Sequence, residues 1–198
     1  VESMVFMFAS SAFDQPIGNW NVSNVQFMNV MFQNASFNQP LNSWDVSNVT
    51  NMAAMFERNS SFNQPLNNWD ISNVTNMFVM FENASNFNQD LSSWLFNPNV
   101  NLVDFINYSG VQSDNYDLLL QSINSQNISG LTLGATDIAY CDVATRDNLI
   151  TNKEFTITGD FEGQCGAILN PSTTPFVTTW TVDSDDLNID IFTSTDYT

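Results

Sequence analysis

Four tryptophans, Trp20, Trp44, Trp69 and Trp94, recur at intervals of 24, 25 and 25 residues, and no other feature constrains the fold as tightly. All eight methionines fall in four Met-x-x-Met-Phe units, at Met4/Met7/Phe8, Met28/Met31/Phe32, Met52/Met55/Phe56 and Met77/Met80/Phe81. Each unit leads to Phe-Asn/Asp-Gln-Pro/Asp, beginning at Phe13, Phe37, Phe62 and Phe87, and then closes on tryptophan. A fifth, degenerate copy follows Trp94: Asn99, Val100, Asn101, Leu102 and Phe105 stand where Asn73, Val74, Asn76, Met77 and Met80 stand. A unit of about 25 residues cannot bury its own apolar side, so such copies must stack into a quasi-one-dimensional array.

Each copy reads as one strand, one short helix and one turn. Around Trp44-Asp45-Val46-Ser47 the polarity alternates, so Trp44 and Val46 point one way and Asp45 and Ser47 the other. Ser47, Asn48 or Thr50 can cap a helix on which Met52, Met55 and Phe56 share a face. The proline after Phe-Asn-Gln marks the return. The expected fold is an α/β solenoid, a leucine-rich-repeat-like stack of short parallel strands and short helices, with an atypical C-terminal cap. The methionine stripe and the tryptophan column read as core, the latter against a rival reading as a sugar platform. Asn24, Asn48, Asn73 and Asn99 read as a ladder whose amides satisfy backbone groups at the corner of each copy.

Composition narrows the chemistry. Three Lys+Arg stand against 21 Asp+Glu, with no histidine, for a net charge of −18. That excludes binding to a phosphate backbone or an anionic lipid surface, and it removes the commonest general base and transition-metal ligand. Residues 1–100 carry seven acids and one base, Arg58, whereas residues 101–198 carry 14 acids and two bases. The repeats draw their polarity from asparagine instead: 20 of 29 lie before residue 101. Neither an apolar run of membrane-spanning length, a phosphate-binding glycine loop, a nucleophile elbow nor a zinc signature is present.

The unit Asn-Val-Thr-Asn-Met-x-x-Met-Phe…Phe-Asn-Gln-Pro-Leu-Asn-x-Trp-Asp-Val-Ser resembles the BspA-like leucine-rich repeat of bacterial surface proteins and lipoproteins. The segments from Asn115, Leu131 and Phe155 resemble the usual ending of such arrays. The resemblance implies an exported, non-catalytic protein at the cell surface, of the kind found in Bacteroidetes-type multidomain adhesins, and it carries over no catalytic residue. It divides the chain into a repeat solenoid at 1–110, a cap at 111–165, a linker at 166–175, and the truncated start of a β-sandwich module at 176–198 that resembles a PKD-like, immunoglobulin-type domain. Since residue 1 falls inside a repeat, the chain reads as a segment of a longer protein. In the cap, helices are expected over 116–123 and 143–150 and strands over 131–133 and 155–158. Cys141 and Cys165 lie 24 residues apart, about one copy. In an exported chain they read as a disulfide worth about 3 kcal/mol; a two-cysteine metal site and two independent thiols are the rival readings.

Candidate site residues follow from the exposed side of the repeats. Asn21, Asp45 and Asp70 form one column and Ser23, Ser47 and Ser72 the next. Rungs about 4.8 Å apart would place Asp45 beside Asp70. Such a column reads as a solvated face, as a polyol or cation contact, or as the carboxylate pair, about 5 Å apart, of a retaining glycosidase. Asp183, Asp185 and Asp186 are candidate calcium ligands; no other cofactor is expected. The function that follows is adhesion through a repetitive polar, acidic face to an extracellular protein or polysaccharide, or to neighbouring modules of the same chain, with no nucleic acid and no membrane insertion. A structural spacer in a long adhesin and a carbohydrate-active enzyme are the alternatives.

Overall fold

The structure, a computed structural model, describes residues 1–165. The expected linker and β-sandwich strands, and the candidate calcium ligands Asp183, Asp185 and Asp186, lie outside the described residues.

The helix expected over Met52, Met55 and Phe56 is not formed, and none of the copies contains one. The backbone of this segment pairs outward. Met52, Ala54, Phe56 and Arg58 donate to the carbonyls of Asn76, Phe78, Met80 and Glu82 in the next copy, at 2.8, 2.9, 2.9 and 2.7 Å. Met55 and Glu57 donate back three residues, to Met52 and Ala54, so the segment is a run of tight turns. The same four rungs join Met4, Phe6, Phe8 and Ser10 to the second copy, and they recur from the second copy to the third and from the fourth to the fifth. A single helical turn would fix several dihedrals for one internal bond, whereas the ladder repeats its four bonds at each junction.

Two residues per copy, four apart, take left-handed backbone to aim these bonds: Ala54 and Arg58 at φ 55°, with Val30, Asn34, Val79 and Asn83 at the matching places. Arg58 is the costly choice, since asparagine enters this region far more readily than a long side chain. Its ion pair with Glu57, at 3.5 Å from a side chain that is 63% exposed, offsets little of that cost. Arg58→Asn, which copies the second and fourth repeats, is expected to raise stability by about 0.5–1 kcal/mol, read as an upward shift of the urea midpoint.

The expected strand at Trp44–Asn48 is likewise reduced. Trp44 and Val46 are buried and Asp45 exposed, as the alternation requires, but Val49 N–H turns back to the Val46 carbonyl at 2.9 Å. Parallel pairing lies one column further on, as single bridges linking Ser3, Phe27, Asn51, Asn76 and Asn101 in succession.

Inside, Phe8, Phe32, Phe56 and Phe81 form one column of rings, with centroids 5.6, 5.5 and 5.6 Å apart. Phe13, Phe37, Phe62 and Phe87 form a second, 6.3, 6.4 and 6.1 Å apart. The two columns stack on each other at 3.9–4.2 Å within every copy. Met28, Met31, Met52, Met55, Met77 and Met80 are fully buried around them. The indole N–H groups of Trp44, Trp69 and Trp94 donate to the preceding copy, at the carbonyls of Ile17, Leu41 and Leu66. These tryptophans are core, because burial leaves an indole face no room for a sugar. The column ends where the sequence degenerates: Phe105 meets Phe81 edge-on, at 74°.

The cap continues with regular elements: α1 (Ser113–Ser125), β1 (Thr132–Gly134), β2 (Ala139–Tyr140), α2 (Val143–Thr151), β3 (Thr156–Thr158) and β4 (Phe161–Glu162). Helix α1 begins three residues before its expected start and buries Tyr116, Leu119, Leu120 and Ile123, one face of a 3.6-residue period. Asp142 caps α2 by accepting from Thr145 N–H at 3.0 Å. β1 pairs in parallel with β3, and β2, which the sequence pattern does not announce, pairs in parallel with β4. The fifth copy hands over to the cap at Gly134, where a Cβ would lie 2.2 Å from the Asp104 nitrogen, so only glycine fits. Cys141 and Cys165 form a disulfide, with Cα atoms 5.4 Å apart, beside the two-residue β2–β4 pair.

Candidate functional site

Asn21, Asp45 and Asp70 are all exposed. In each case Oδ1 accepts two bonds from the serine two residues on. Ser23 donates its N–H and hydroxyl to Asn21 at 3.1 and 2.7 Å, Ser47 to Asp45 at 3.2 and 2.6 Å, and Ser72 to Asp70 at 3.1 and 2.7 Å. These are Asx turns, and they need only one acceptor oxygen, so asparagine and aspartate interchange there. Oδ2 of each aspartate accepts nothing among the described residues. The paired hydroxyl and N–H of Ser47 hold the Asp45 carboxyl below the usual carboxylate range. A carboxyl held ionised in this way does not suit the acid that protonates a glycosidase's leaving group, whereas the nucleophile of such a pair is itself ionised.

Asparagine amides fix the spacing of this face. Asn48 and Asn73 donate to the carbonyls of Ser23 and Ser47 at 2.8 Å, and Asn97 continues to Ser72 at 2.9 Å. The fourth member is therefore Asn97 and not the expected Asn99, because Pro98 displaces the register of the fifth copy; Asn99 N–H caps back onto Asn97 instead. A second ladder, which the sequence reading missed, runs along the Phe-Asn-Gln-Pro motif. Asp14, Asn38, Asn63 and Asn88 each accept the backbone N–H of the next copy, at 2.8–3.0 Å. Its signal was the motif itself, whose polar residue recurs as faithfully as the buried phenylalanine before it.

The described residues hold a shallow depression of about 380 Å³ on this face, lined by Asn67, Asn68, Asp70, Ser72, Ser93 and Leu95 together with Trp69. Thus Asp70 and Ser72 share a concavity, while Asn21, Ser23, Asp45 and Ser47 do not enter it. Leu95 was also missed. It stands one residue after Trp94, where Asp45 and Asp70 follow their tryptophans, and that departure from the repeat was readable.

Gln33, Glu57 and Glu82 form a third column, on the turn ladder. Gln33 Nε2 donates to Glu57 Oε2 at 2.5 Å, but Glu82, beside Glu57, has no such complement. Partial burial, with the charges of Glu57 and Asp104, raises the Glu82 carboxyl above its ordinary value, against a smaller opposing pull from Arg58. A carboxyl whose folded value is raised binds its proton more tightly when folded, so its charge destabilises the fold at neutral pH. Glu82→Gln, the arrangement Gln33 already shows, is expected to gain about 0.5 kcal/mol at pH 7, allowing for solvent screening. The gain shrinks as pH falls through the raised value and is gone below about 4.3. Melting curves of both proteins across pH check this.

In the cap, Arg146 of α2 grips Asp160 with two bonds of 2.9 Å, and the Tyr116 hydroxyl of α1 reaches the same carboxylate at 3.3 Å. The guanidinium carbon lies 4.8 Å over the Tyr140 ring. The Asp160 side chain is 1% exposed, so this is a buried ion pair whose anion depends on its partner. Burial first, then the Asp160 charge, holds the Tyr116 hydroxyl well above the ordinary tyrosine range. Among the described residues, three or more His, Cys, Asp or Glu side chains nowhere gather as a metal ion would need, and no helix is long and apolar enough to cross a membrane.

No curated protein and no solved structure matches the sequence. A family model described as a Mycoplasma protein of unknown function, DUF285, matches residues 1–117, which span all five copies and end inside α1. That match covers more than half of the chain, and the protein belongs to the DUF285 family.

Proposed function

We propose that the chain is a segment of an exported bacterial surface protein in which a BspA-like, leucine-rich-repeat-type solenoid presents a polar face for adhesion, without catalysis. The observation that carries this reading is the column Asn21, Asp45 and Asp70, an exposed acceptor after each of three successive tryptophans, each held in the same Asx turn. Recognition then spreads over repeated shallow contacts to an extracellular protein or polysaccharide, and repetition supplies the avidity. The disulfide supports an oxidising, extracellular setting.

Asp45→Asn and Asp70→Asn keep the Asx turn, as Asn21 shows, and replace the charged free acceptor by a neutral amide donor. The full chain and these variants are passed over immobilised extracellular-matrix proteins and polysaccharides. Adhesion predicts that each single variant weakens binding a few-fold and that the double variant multiplies the losses. Binding untouched by the double variant, or absent altogether, assigns the array a spacer role. Release of sugar by the parent chain, abolished by either single change, would establish the enzyme instead.

A further inference from the structure

We propose that the depression between Asp70 and Leu95 is a subsite for a neutral, hydroxyl-rich sugar ring. The inference deepens the adhesion reading by naming one contact within it, and it rests on a break in the repeat. The two preceding copies place an aspartate directly after the tryptophan; here Leu95 takes that place with 66% of its surface exposed. An apolar side chain so exposed, ringed by amides, hydroxyls and one carboxylate, offers what the C–H face and the rim of a pyranose require together.

The site is built rather than incidental. Gln126, just after α1, clamps the backbone on both sides of Leu95: its Nε2 donates to the Trp94 carbonyl at 2.9 Å, and its Oε1 accepts Phe96 N–H at 2.8 Å. Opposite, Ser93 donates to the Asn67 carbonyl at 2.8 Å, and Asn68 N–H donates to Asn42 at 2.9 Å. Trp69, also in the lining, is pinned by its indole bond to Leu41. These bonds fix the walls before any ligand arrives, which lowers the ordering cost of binding.

The unused valences select the ligand. Asp70 Oδ2 accepts, the Asn68 amide both donates and accepts, the Asn67 Nδ2 donates, and the Ser72 and Ser93 oxygens keep lone pairs. Such a set matches hydroxyl groups, each of which is donor and acceptor at once. An anion meets Asp70 and a chain of net charge −18 with no cation among the lining residues. Calcium asks for six to eight oxygens, more than one free carboxylate oxygen and a few neutral groups supply. The volume, about 380 Å³, is at the small end of ligand sites, room for one or two rings.

The test is an amide-resolved NMR titration of the full chain with glucose, galactose, N-acetylglucosamine and glucuronate in the millimolar range. At least one neutral sugar is expected to shift the amides of Asn68, Asp70, Ser72 and Leu95 saturably, while glucuronate does not. Leu95→Asp, which restores the residue of the earlier copies, is expected to weaken the effect about tenfold and to leave distant amides in place. Asn68→Ala serves as a second variant at an exposed side chain. The proposal is overturned if no neutral sugar moves these amides, if both variants respond like the parent, or if glucuronate shifts them equally. Silent sugars alongside matrix binding that depends on Asp45 and Asp70 would sink the subsite and leave the adhesion reading standing. Sugar shifts without any such binding would do the reverse.

Discussion

Arg146→Met lowers the stability of the cap by about 3–5 kcal/mol. The mechanism is the stranded partner. Asp160 keeps its carboxylate at 1% exposure but loses both guanidinium bonds, and Tyr116 alone cannot compensate a buried charge. Removing both partners, as Arg146→Met with Asp160→Leu, is expected to recover most of the stability, since a well-packed apolar pair avoids desolvating two ions. Equilibrium urea unfolding of the three variants reads these differences. A single-variant loss under about 1 kcal/mol would mean that the pair is effectively solvated.

The second large effect lies in the ring columns. Phe56 is fully buried and stacks on Phe32, Phe62 and Phe81 at 5.5, 4.0 and 5.6 Å. Phe56→Ala removes one ring from the middle of both the vertical and the lateral stack, at an expected cost of about 3–5 kcal/mol. Phe8→Ala, at a partly buried ring of the first copy, is expected to cost less than half as much. In an assembly stabilised by nearest-neighbour interfaces, Phe56 loses column neighbours on both sides, Phe32 and Phe81, whereas Phe8 of this 198-residue chain loses one, Phe32. Equal losses at the two positions would show that stability is spread over the whole chain and not carried by neighbouring copies.

The same residues show why part of the fold could be read from the sequence and part could not. Methionine, phenylalanine and tryptophan repeat at the core period, so most of the buried set was readable without coordinates; Met7 and Trp20, of the first copy, follow the same period but are exposed. The cap helices were readable because Tyr116, Leu119, Leu120 and Ile123 follow the helical period. The Met-x-x-Met-Phe unit misled for the same reason: its spacing also fits one helical face, yet its backbone partners lie in the next copy, 24 residues away, where local periodicity is blind. Left-handed backbone at Val30 and Val79 runs against side-chain preference and is imposed by the ladder. Arg146 was a missed clue. In a chain with three basic residues, a cation placed within a helix of an acidic cap calls for a specific anion.

At the candidate site, the alternation in Trp-Asp-Val-Ser placed Asp45 and Asp70 on the exposed side correctly. It did not reveal that Ser47 and Ser72 are bound to them, since an Asx turn depends on backbone direction. The cap's part in the depression was hidden further, because Gln126 and Leu95 are 31 positions apart and meet only through α1.

The central claim is that neighbouring copies are joined by a backbone ladder that holds the polar column in place. Nuclear Overhauser contacts in the isotopically labelled chain test it most directly. The ladder predicts contacts from the amides of Met52, Ala54, Phe56 and Arg58 to residues 24 positions on, Asn76, Phe78, Met80 and Glu82. Contacts confined to residues three and four apart within Met52–Arg58, the signature of a helix, with none to the next copy, would contradict it.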